Sequence, residues 1–276
     1  MAAMRLKYII LFVSLFFLSI QSIIEWEIVI PTFNNQQWCI QNIESLVNQT
    51  YKHWHATIII DCANDQTEEL IRLYIEENHL EHKITIIVNT ENQGALSNIY
   101  HAVTACPPHK VIGLLDGDDW LAHETVLEYL SEIYEKKNIW MTYGQFELWP
   151  ENRVGHCRPY PENIIKENSF RYLHGTLPSH FRTFYAWLFQ LIKKRDLLYE
   201  GKFFPVTWDL AMMLPMIEMA GKHHKCISKI LYIYNIQNPL NDFKLHTELQ
   251  AKLDRYIRTK KRYKPLEKKP NSSRNQ

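Results

Sequence analysis

The amino-acid sequence predicts an α/β protein with a mostly parallel central sheet flanked by helices. Four short, continuously apolar runs follow one another within the first 115 residues, and such runs are typical of strands buried on both faces. Segments whose apolar residues recur at spacings of three and four lie between the runs, and this spacing predicts helices packed on the sheet. Strands and helices that alternate in this order indicate a parallel sheet covered on both faces.

The elements of the first half can be assigned in order along the chain. Strands are predicted at residues 27–31, 55–61, 84–88 and 111–115. Helices are predicted at residues 37–47, after a capping segment at 65–68, at 97–105 and at 123–134. Pro31 ends the first strand because its ring removes a backbone donor. Asp65 offers a side-chain cap for the second helix.

The second half of the chain is less regular. Its pattern predicts a strand at 140–143, a loop at 150–161, an aromatic-rich helix at 181–192 and a helix at 210–219 that Pro215 interrupts. No linker rich in Pro, Gly or Ser divides the body. We therefore predict one domain over residues 25–245.

The composition excludes several classes of protein. The 276 residues are 46% hydrophobic and 22% charged, which is typical of a globular protein with a sizeable core. Only 8 Gly and 12 Pro argue against collagen-like and low-complexity chains. The five Cys form no C-x-x-C pair, so neither a disulfide scaffold nor a zinc ribbon is predicted.

The N-terminus carries an uncharged apolar run at residues 8–24, preceded by Arg5 and Lys7. A basic start and an apolar run of this kind predict that residues 1–24 are a signal peptide or signal anchor. We expect this segment to associate the chain with a membrane, on a side that the sequence leaves open, and to contribute nothing to the fold. An N-terminal core strand or helix is the alternative interpretation.

Residues 246–276 form a separate basic tail. From Lys252 onward the chain has ten Lys or Arg and two acidic residues, whereas the rest of the chain is acidic overall. The acidic body argues against a nucleic-acid partner. Residues 255–276 lack apolar periodicity, which predicts a disordered end. Such a tail either contacts anionic lipid head groups or is solvated without a partner.

The most informative motif is Asp116-Gly117-Asp118-Asp119, which directly follows the fourth predicted strand. Three carboxylates in four residues repel one another unless a cation or several hydrogen-bond donors compensate them. Divalent cations with oxygen ligands bridge such carboxylates to phosphates. The motif therefore predicts a metal–diphosphate site, and a solvated acidic turn or a helix cap is the alternative. Polar residues also follow the other three strands, at the edge where α/β sheets bind ligands.

Four ordered motifs resemble glycosyltransferase family 2, the inverting enzymes with the GT-A fold of nucleotide-diphospho-sugar transferases. Residues 28–34, Ile-Val-Ile-Pro-Thr-Phe-Asn, resemble the family's I-P-T-Y-N strand and turn. Residues 59–67 align without gaps on its V-D-D-G-S-T-D-G-T segment, and residues 92–94 on its N-x-G turn. Residues 116–119 are similar to its acidic motif. The resemblance extends from Glu27 to about Asp242.

The resemblance implies how a nucleotide donor is bound. The residues that it places around the nucleotide are Pro31, Thr32, Phe33, Asp61, Asn92 and Asp116. Asp61 would accept a hydrogen bond from the base, and Asp116 would contact the ribose. Asp118 would bind Mn²⁺ or Mg²⁺ together with the diphosphate.

The sequence also departs from the family pattern. Ile60 replaces the first of two paired aspartates, Phe33 replaces the commoner Tyr, and Cys62 and Gln66 replace glycines. The replaced acid and glycines affect the donor side of the site. The acidic metal motif is complete.

Further candidates follow from what inverting transfer needs, namely a carboxylate that faces the acceptor and binds no metal. We assign the general base to Asp209, at the start of a predicted helix whose dipole keeps the carboxylate ionised. Glu218 and Asp119 are the fallback candidates. Trp120 either contacts the acceptor sugar or packs in the core, and Arg182 pairs either with the diphosphate or with surface acids.

The sequence therefore predicts an inverting, metal-dependent glycosyltransferase that transfers a sugar from a nucleotide-diphospho-sugar, with UDP as the expected nucleotide. The acceptor would be a hydroxyl of a glycan, of a lipid-linked molecule or of a protein. One alternative is a binding protein that has kept the fold and lost turnover. A Mg²⁺-dependent phosphotransferase is a third possibility, although P-loop and kinase signatures are missing.

Overall fold

The computed structural model describes residues 23–136, 138–173, 178–241 and 246–270. The strands are β1 (Trp26–Thr32), β2 (Trp54–Asp61), β3 (Ile84–Asn89), β4 (Val111–Leu114), β5 (Trp120–Leu121), β6 (Met141–Trp149), β7 (Arg153–Val154), β8 (Arg182–Tyr185), β9 (Leu198–Tyr199), β10 (Lys202–Phe203) and β11 (His224–Asn235). The α-helices are α1 (Cys39–Val47), α2 (Thr67–Glu77), α3 (Ala95–Ala105), α4 (Val126–Lys136), α5 (Glu162–Lys166), α6 (Ala186–Gln190), α7 (Trp208–Ala220) and α8 (Thr247–Thr259).

One mixed sheet forms the centre of the molecule, with the strand order β3-β2-β1-β4-β8-β6-β11-β5. Strands β3, β2, β1 and β4 are parallel, and β11 is parallel to β6. Strand β8 lies antiparallel to both β4 and β6. The carboxyl ends of β1, β2, β4 and β11 therefore share one edge of the sheet with the start of β8. The prediction of a mostly parallel sheet flanked by helices is confirmed.

Apolar side chains cover both faces of this sheet. One core packs α1, α2 and α4 against the first strands, and it includes Ile43 and Leu130. The other core packs α3, α6 and α7 against the opposite face. Helix α7 is buried along nearly its whole length, from Leu210 to Ala220, which explains its Met-rich sequence. These two layers hold the sheet edge in place.

The prediction of a helix at 181–192 is wrong in its first part. Residues 182–185 form β8, which completes the sheet between β4 and β6, and only 186–190 are helical. A short apolar run is compatible with a strand or with a buried helix. Residues 182–185 form a strand because they pair with β4 on one side and with β6 on the other. The predicted interruption at Pro215 is also wrong, because Pro215 lies within the continuous helix α7.

The predicted signal segment lies outside the described residues except for its last two positions. Ile24 is 6% exposed and packs in the core of α1 and α4. The hydroxyl of Tyr51 donates a 2.8 Å hydrogen bond to the carbonyl of Ile24. The prediction that all 24 residues contribute nothing to the fold is therefore wrong for Ile24. Among the helices of the described ranges, none is both long and apolar enough to cross a membrane.

The C-terminal segment packs on the body, which corrects the prediction of a disordered end from residue 255. Leu253 and Ile257 of α8 are buried against the core of α7. Beyond the helix, the amide of Leu266 donates a 2.8 Å hydrogen bond to the carbonyl of Met219. Sequence periodicity missed this segment because its apolar residues are few among many charges. Residues 271–276 lie outside the described ranges.

A buried ion pair attaches this C-terminal segment. Arg171 and Glu218 have side chains 2% and 0% exposed, and two hydrogen bonds of 2.6 and 3.0 Å join them. Arg171 also donates a 2.6 Å bond to the carbonyl of Ile257, and Glu218 accepts a 2.9 Å bond from the amide of Tyr263. One ion pair therefore links α7, α8 and the chain that follows α8.

Replacing Arg171 by Met tests this link. We expect Arg171→Met to lower the free energy of unfolding by about 3–5 kcal/mol, because the Glu218 carboxylate is left buried without its cation. Urea denaturation measures the change. The control is Lys166→Met, which breaks an exposed pair with Glu162 and should cost less than about 1 kcal/mol. Equal costs in the two variants would contradict a structural role for the pair.

Candidate active site

A cavity of about 690 Å³ opens at the carboxyl edge of the sheet. Most of the site residues predicted from the sequence line it, namely Pro31, Thr32, Phe33, Asp61, Asn92, Asp116, Asp118, Asp119, Arg182 and Asp209. The start of α7 and part of α8 also line it, with Trp208, Gln250 and Asp254. The strand ends therefore bring the predicted residues to one place, as expected for ligand binding at this edge.

The acidic turn 116–119 is held close to the end of β1. The side-chain amide of Asn42 donates hydrogen bonds of 2.9 and 2.7 Å to the backbone carbonyls of Asp116 and Asp119. Gly117 lies so near Thr32 that an added Cβ would be 2.4 Å from the Thr32 hydroxyl oxygen. A side chain at position 117 would force the turn away from β1. The glycine therefore sets the position of the carboxylates around it.

Asp119 is the most deeply buried carboxylate of the turn, with none of its surface exposed. Its two oxygens accept 2.7 Å hydrogen bonds from the hydroxyl of Tyr232 and from the amide of Asn235, both on β11. Burial raises the pKa of Asp119 well above its usual range, and the charges of Asp118 and Asp116 raise it further. The hydrogen bonds from Tyr232 and Asn235 therefore do not fully offset the burial of Asp119 and its repulsion by the neighbouring carboxylates.

Asp116 contacts a histidine that lies two residues before β8. The Nε2 atom of His180 lies 3.4 Å from Asp116 Oδ2. Burial would raise the pKa of Asp116, but the hydrogen bond and charge of His180 and the charge of Arg182 hold it below its usual value. Burial, followed by the charge of Arg182, lowers the pKa of His180. A histidine with a lowered pKa is neutral near pH 7, which is the form that binds metal ions.

Asp116, Asp119 and His180 can hold a metal ion together. One ligand atom from each of these side chains lies within 4.8 Å of the others. Carboxylate oxygens suit Mg²⁺ and Mn²⁺, and the imidazole nitrogen favours Mn²⁺ over the oxygen-preferring Mg²⁺. The raised pKa of Asp119 fits the same ion, since a divalent charge would offset the crowding. Asp118, the ligand predicted from the sequence, is outside this group and accepts a 2.7 Å bond from Asn238.

Asp61 organises the turn at residues 92–94. Asp61 is 4% exposed. Its carboxylate accepts 2.8 Å hydrogen bonds from the backbone amides of Gln93 and Gly94 and from the side-chain amide of Asn89. Next to it, Cys62 has a φ of 58°, the left-handed conformation that glycine adopts most readily. The chain therefore keeps this conformation at a position where the family pattern has glycine.

Arg182 and Asp209 form an ion pair in the lining of the cavity. A 2.8 Å hydrogen bond joins Arg182 Nη2 to Asp209 Oδ2, and the two side chains are 5% and 25% exposed. Asp209 lies in the first turn of α7, as predicted. The preceding Thr207 has a φ of 57°, a conformation rare for a β-branched residue and typical of functional sites. Of the two kinds of partner that the sequence suggested for Arg182, the structure shows an acid, Asp209 of the cavity lining, and the diphosphate stays a prediction.

Two predicted candidates lie away from the cavity. Trp120 is 8% exposed and packs edge-on against Trp149, with ring centres 5.4 Å apart. It therefore packs in the core and does not line the cavity. Glu218 is enclosed by its bonds to Arg171 and Tyr263, so it is not available as a general base. Both corrections have the same cause, because helix and strand positions alone do not tell which face a side chain occupies.

Sequence reasoning missed His180, Tyr232, Asn235 and Asn238 as parts of the site. His180 stacks on Tyr232, with ring centres 4.6 Å apart, and its pairing with Asp116 depends on β8. Asn235 ends β11, and Asn238 follows it. A sequence pattern for both asparagines was present, because polar residues at the ends of β1 to β4 had already indicated the site and Asn235 and Asn238 lie at the end of β11 in the same way. It was not used for β11, because that strand was not predicted.

Comparison with known proteins identifies the family of this fold. The model of the family described as "Glycosyl transferase family 2" matches residues 27–193, more than half of the chain. The chain belongs to glycosyl transferase family 2. This membership confirms the resemblance derived from the four sequence motifs.

Individual relatives agree with this assignment. The chain is 26% identical over 156 residues to the putative colanic acid biosynthesis glycosyl transferase WcaA of Escherichia coli, covering 52% of this chain and 55% of the relative. It therefore spans about half the length of that relative.

Solved structures show that the fold is GT-A. S. aureus TarS 1–349, in complex with UDP-GlcNAc, has a TM-score of 0.62 at 16% identity, covering 85% of this chain and 65% of the other. The mannosyltransferase PcManGT from Pyrobaculum calidifontis, in complex with GDP-Man and Mn²⁺, has a TM-score of 0.57 at 14% identity, with 87% and 66% covered. At these identities the likeness concerns the fold alone.

Two variants test which side chains bind the metal ion. We expect His180→Gln to weaken Mn²⁺ binding about tenfold or more, because the site loses its nitrogen ligand. Asp118→Asn, predicted from the sequence to abolish metal-dependent nucleotide binding, is the comparison. Electron paramagnetic resonance of free Mn²⁺, with UDP present, measures binding, and near-ultraviolet circular dichroism verifies the fold. Unchanged binding in His180→Gln and lost binding in Asp118→Asn would assign the ion to Asp118 instead.

Proposed function

We propose that this protein transfers a sugar from a nucleotide-diphospho-sugar to a hydroxyl acceptor by a metal-dependent, inverting reaction. One observation carries the proposal. A single cavity contains a group of side chains that could hold a metal ion and, outside that group, the carboxylate of Asp209. Inverting transfer needs these two features and no covalent sugar–enzyme intermediate.

The donor side of the site consists of the β1, β2 and β4 ends. Pro31, Thr32 and Phe33 line the cavity where we place the nucleobase, with Asp61 beside them. Phe33 is 39% exposed, so its ring is free to contact a flat base. Asp116, Asp119 and His180 would hold Mn²⁺, with Asp118 beside them. The ion would offset the negative charge that develops on the leaving nucleoside diphosphate.

The acceptor side consists of the start of α7 and the facing part of α8. Asp209 would take the proton of the acceptor hydroxyl while that oxygen bonds to the anomeric carbon and the bond to the diphosphate breaks. The ring of Trp208 lines the same wall, where an aromatic face suits the apolar face of a sugar. The acceptor is a glycan, a lipid-linked molecule or a protein, and we propose that it is reached at a membrane.

A nucleotide-sugar panel tests the function. We expect one donor class, with UDP compounds first, to raise the unfolding temperature of the protein in the presence of Mn²⁺. Added chelator should remove the effect, because the diphosphate binds through the metal. Stabilisation without any donor hydrolysis or transfer would indicate a binding protein that lacks turnover. No stabilisation by UDP-, GDP- or other nucleotide-sugars would contradict the proposal.

Replacing Asp209 separates donor binding from chemistry. We expect Asp209→Asn to bind donor and Mn²⁺ at least as well as the wild type, while transfer falls by about 10²–10⁴-fold, because the general base is lost. Transfer to the acceptor is measured with the donor that the panel selects. The control is Asp196→Asn, a carboxylate outside the cavity that accepts a hydrogen bond from Tyr263. Near-normal transfer by Asp209→Asn would assign the base to another carboxylate of the cavity.

A further inference from the structure

Arg182 has an unusual set of partners for a buried arginine. Its side chain is 5% exposed. Nε donates to the carbonyl of Pro178 at 3.2 Å, and Nη2 donates to Asp209 at 2.8 Å. The third nitrogen, Nη1, is buried and has no hydrogen-bond partner within the described part of the chain. A buried donor without a partner is costly in free energy, so Arg182 has a hydrogen bond to gain if its side chain moves to another partner.

The position of Arg182 indicates what that ligand is. Arg182 pairs with Leu114 across β8 and β4, two residues before Asp116. His180, two residues before Arg182, contacts Asp116 directly. The charge of Arg182 contributes to lowering the pKa of both Asp116 and His180. The guanidinium therefore lies beside the proposed metal site, where a diphosphate would arrive, and phosphate oxygens are preferred partners of arginine.

The ion pair with Arg182 restricts Asp209 as a general base. Asp209 Oδ2 accepts the bond from Arg182, and Oδ1 accepts a 2.8 Å bond from the amide of Leu210. Both carboxylate oxygens of Asp209 are therefore engaged, and Oδ2 is occupied by the guanidinium of Arg182. The same contact prevents the acceptor hydroxyl from occupying the position of the guanidinium. The bond to Arg182 thus restrains the proposed base.

We infer that Arg182 changes partner when the donor binds, from Asp209 to the diphosphate. This inference rests on the proposed function. The diphosphate oxygens attract the guanidinium, which also satisfies Nη1, and Asp209 Oδ2 becomes available to the acceptor hydroxyl. During transfer the hydroxyl proton moves to Asp209, the acceptor oxygen bonds to the anomeric carbon, and the nucleoside diphosphate leaves with the electron pair. Arg182 is thus a donor-binding and positioning residue that makes acceptor activation depend on a bound donor.

The inference makes a prediction about binding that a structural role of Arg182 does not make. If the diphosphate must draw Arg182 away from Asp209, removing the Asp209 charge should strengthen nucleotide binding. We expect Asp209→Asn to bind UDP with Mn²⁺ about 2–5-fold more tightly than the wild type, the range for losing a partly exposed ion pair. Arg182→Gln should weaken binding about tenfold or more, because a charge-assisted contact is lost. Isothermal titration calorimetry with UDP, or with GDP if the panel selects it, measures both.

The double variant distinguishes partner exchange from simple repulsion between Asp209 and the nucleotide. In the Arg182→Gln background, Asp209→Asn should give no gain, because the gain acts through the arginine. Asp254→Asn removes another carboxylate from the cavity wall, one paired with Arg258, and reports the effect of charge alone. Its gain should be smaller than that of Asp209→Asn. Thermal unfolding verifies the fold of each variant, and Arg182→Lys replaces Arg182→Gln in the cycle if the latter does not fold.

Three outcomes would overturn the inference. A gain from Asp209→Asn of the same size with and without Arg182 would show through-space repulsion. No gain in the single variant would show that the ion pair does not compete with the nucleotide. Both results leave the proposed function intact, since wild-type protein still binds the nucleotide with Mn²⁺. Absence of any nucleotide binding by the wild type would contradict the proposed function and this inference with it.

Discussion

Three carboxylates must stand within one turn at the end of a buried strand, and much of this structure serves to hold them there. Their mutual repulsion would open the turn if it were free. Asn42 binds the turn from α1, and Gly117 lets it pack against Thr32. From the other side, Tyr232 and Asn235 bind the most buried carboxylate, Asp119. The turn is therefore fixed by elements that lie far apart in the sequence before any cation binds.

This constraint explains the arrangement of the sheet. Strand β11 must be parallel to β4 for its end to deliver Tyr232 and Asn235 to the same edge as Asp119. Strand β8 lies between them in the opposite direction, so that its start, and not its end, reaches this edge. That is how His180 comes to face Asp116. The reversed direction of β8 therefore contributes directly to the site, whereas β5 and β7, which are also antiparallel to their neighbours, lie toward the edge of the sheet.

Sequence reasoning found the parts of the site that local patterns encode. Apolar runs followed by polar residues located β1 to β4 and the donor side, including Asp61 and Asp116. It did not find β8, because Arg182–Tyr185 resembles a buried helix as much as a strand until the neighbouring strands are known. It also missed the packing of α8, whose few apolar residues Leu253 and Ile257 gain their role only from contact with α7. These contacts join residues that are far apart in the sequence. The spacing of apolar residues within a short segment carries no information about such contacts.

The distribution of charge in the cavity follows from the same long-range contacts. On the donor side, negative charge exceeds positive charge, so the site favours a cation and, through it, a diphosphate. On the acceptor side, Asp209 is neutralised by Arg182, which the sequence places 27 residues earlier. His180 lies just before β8, and Arg182 is its first residue. Any shift of this segment would therefore act on a candidate metal ligand and on the partner of the proposed base together, and this shared origin physically links the two halves of the proposed reaction.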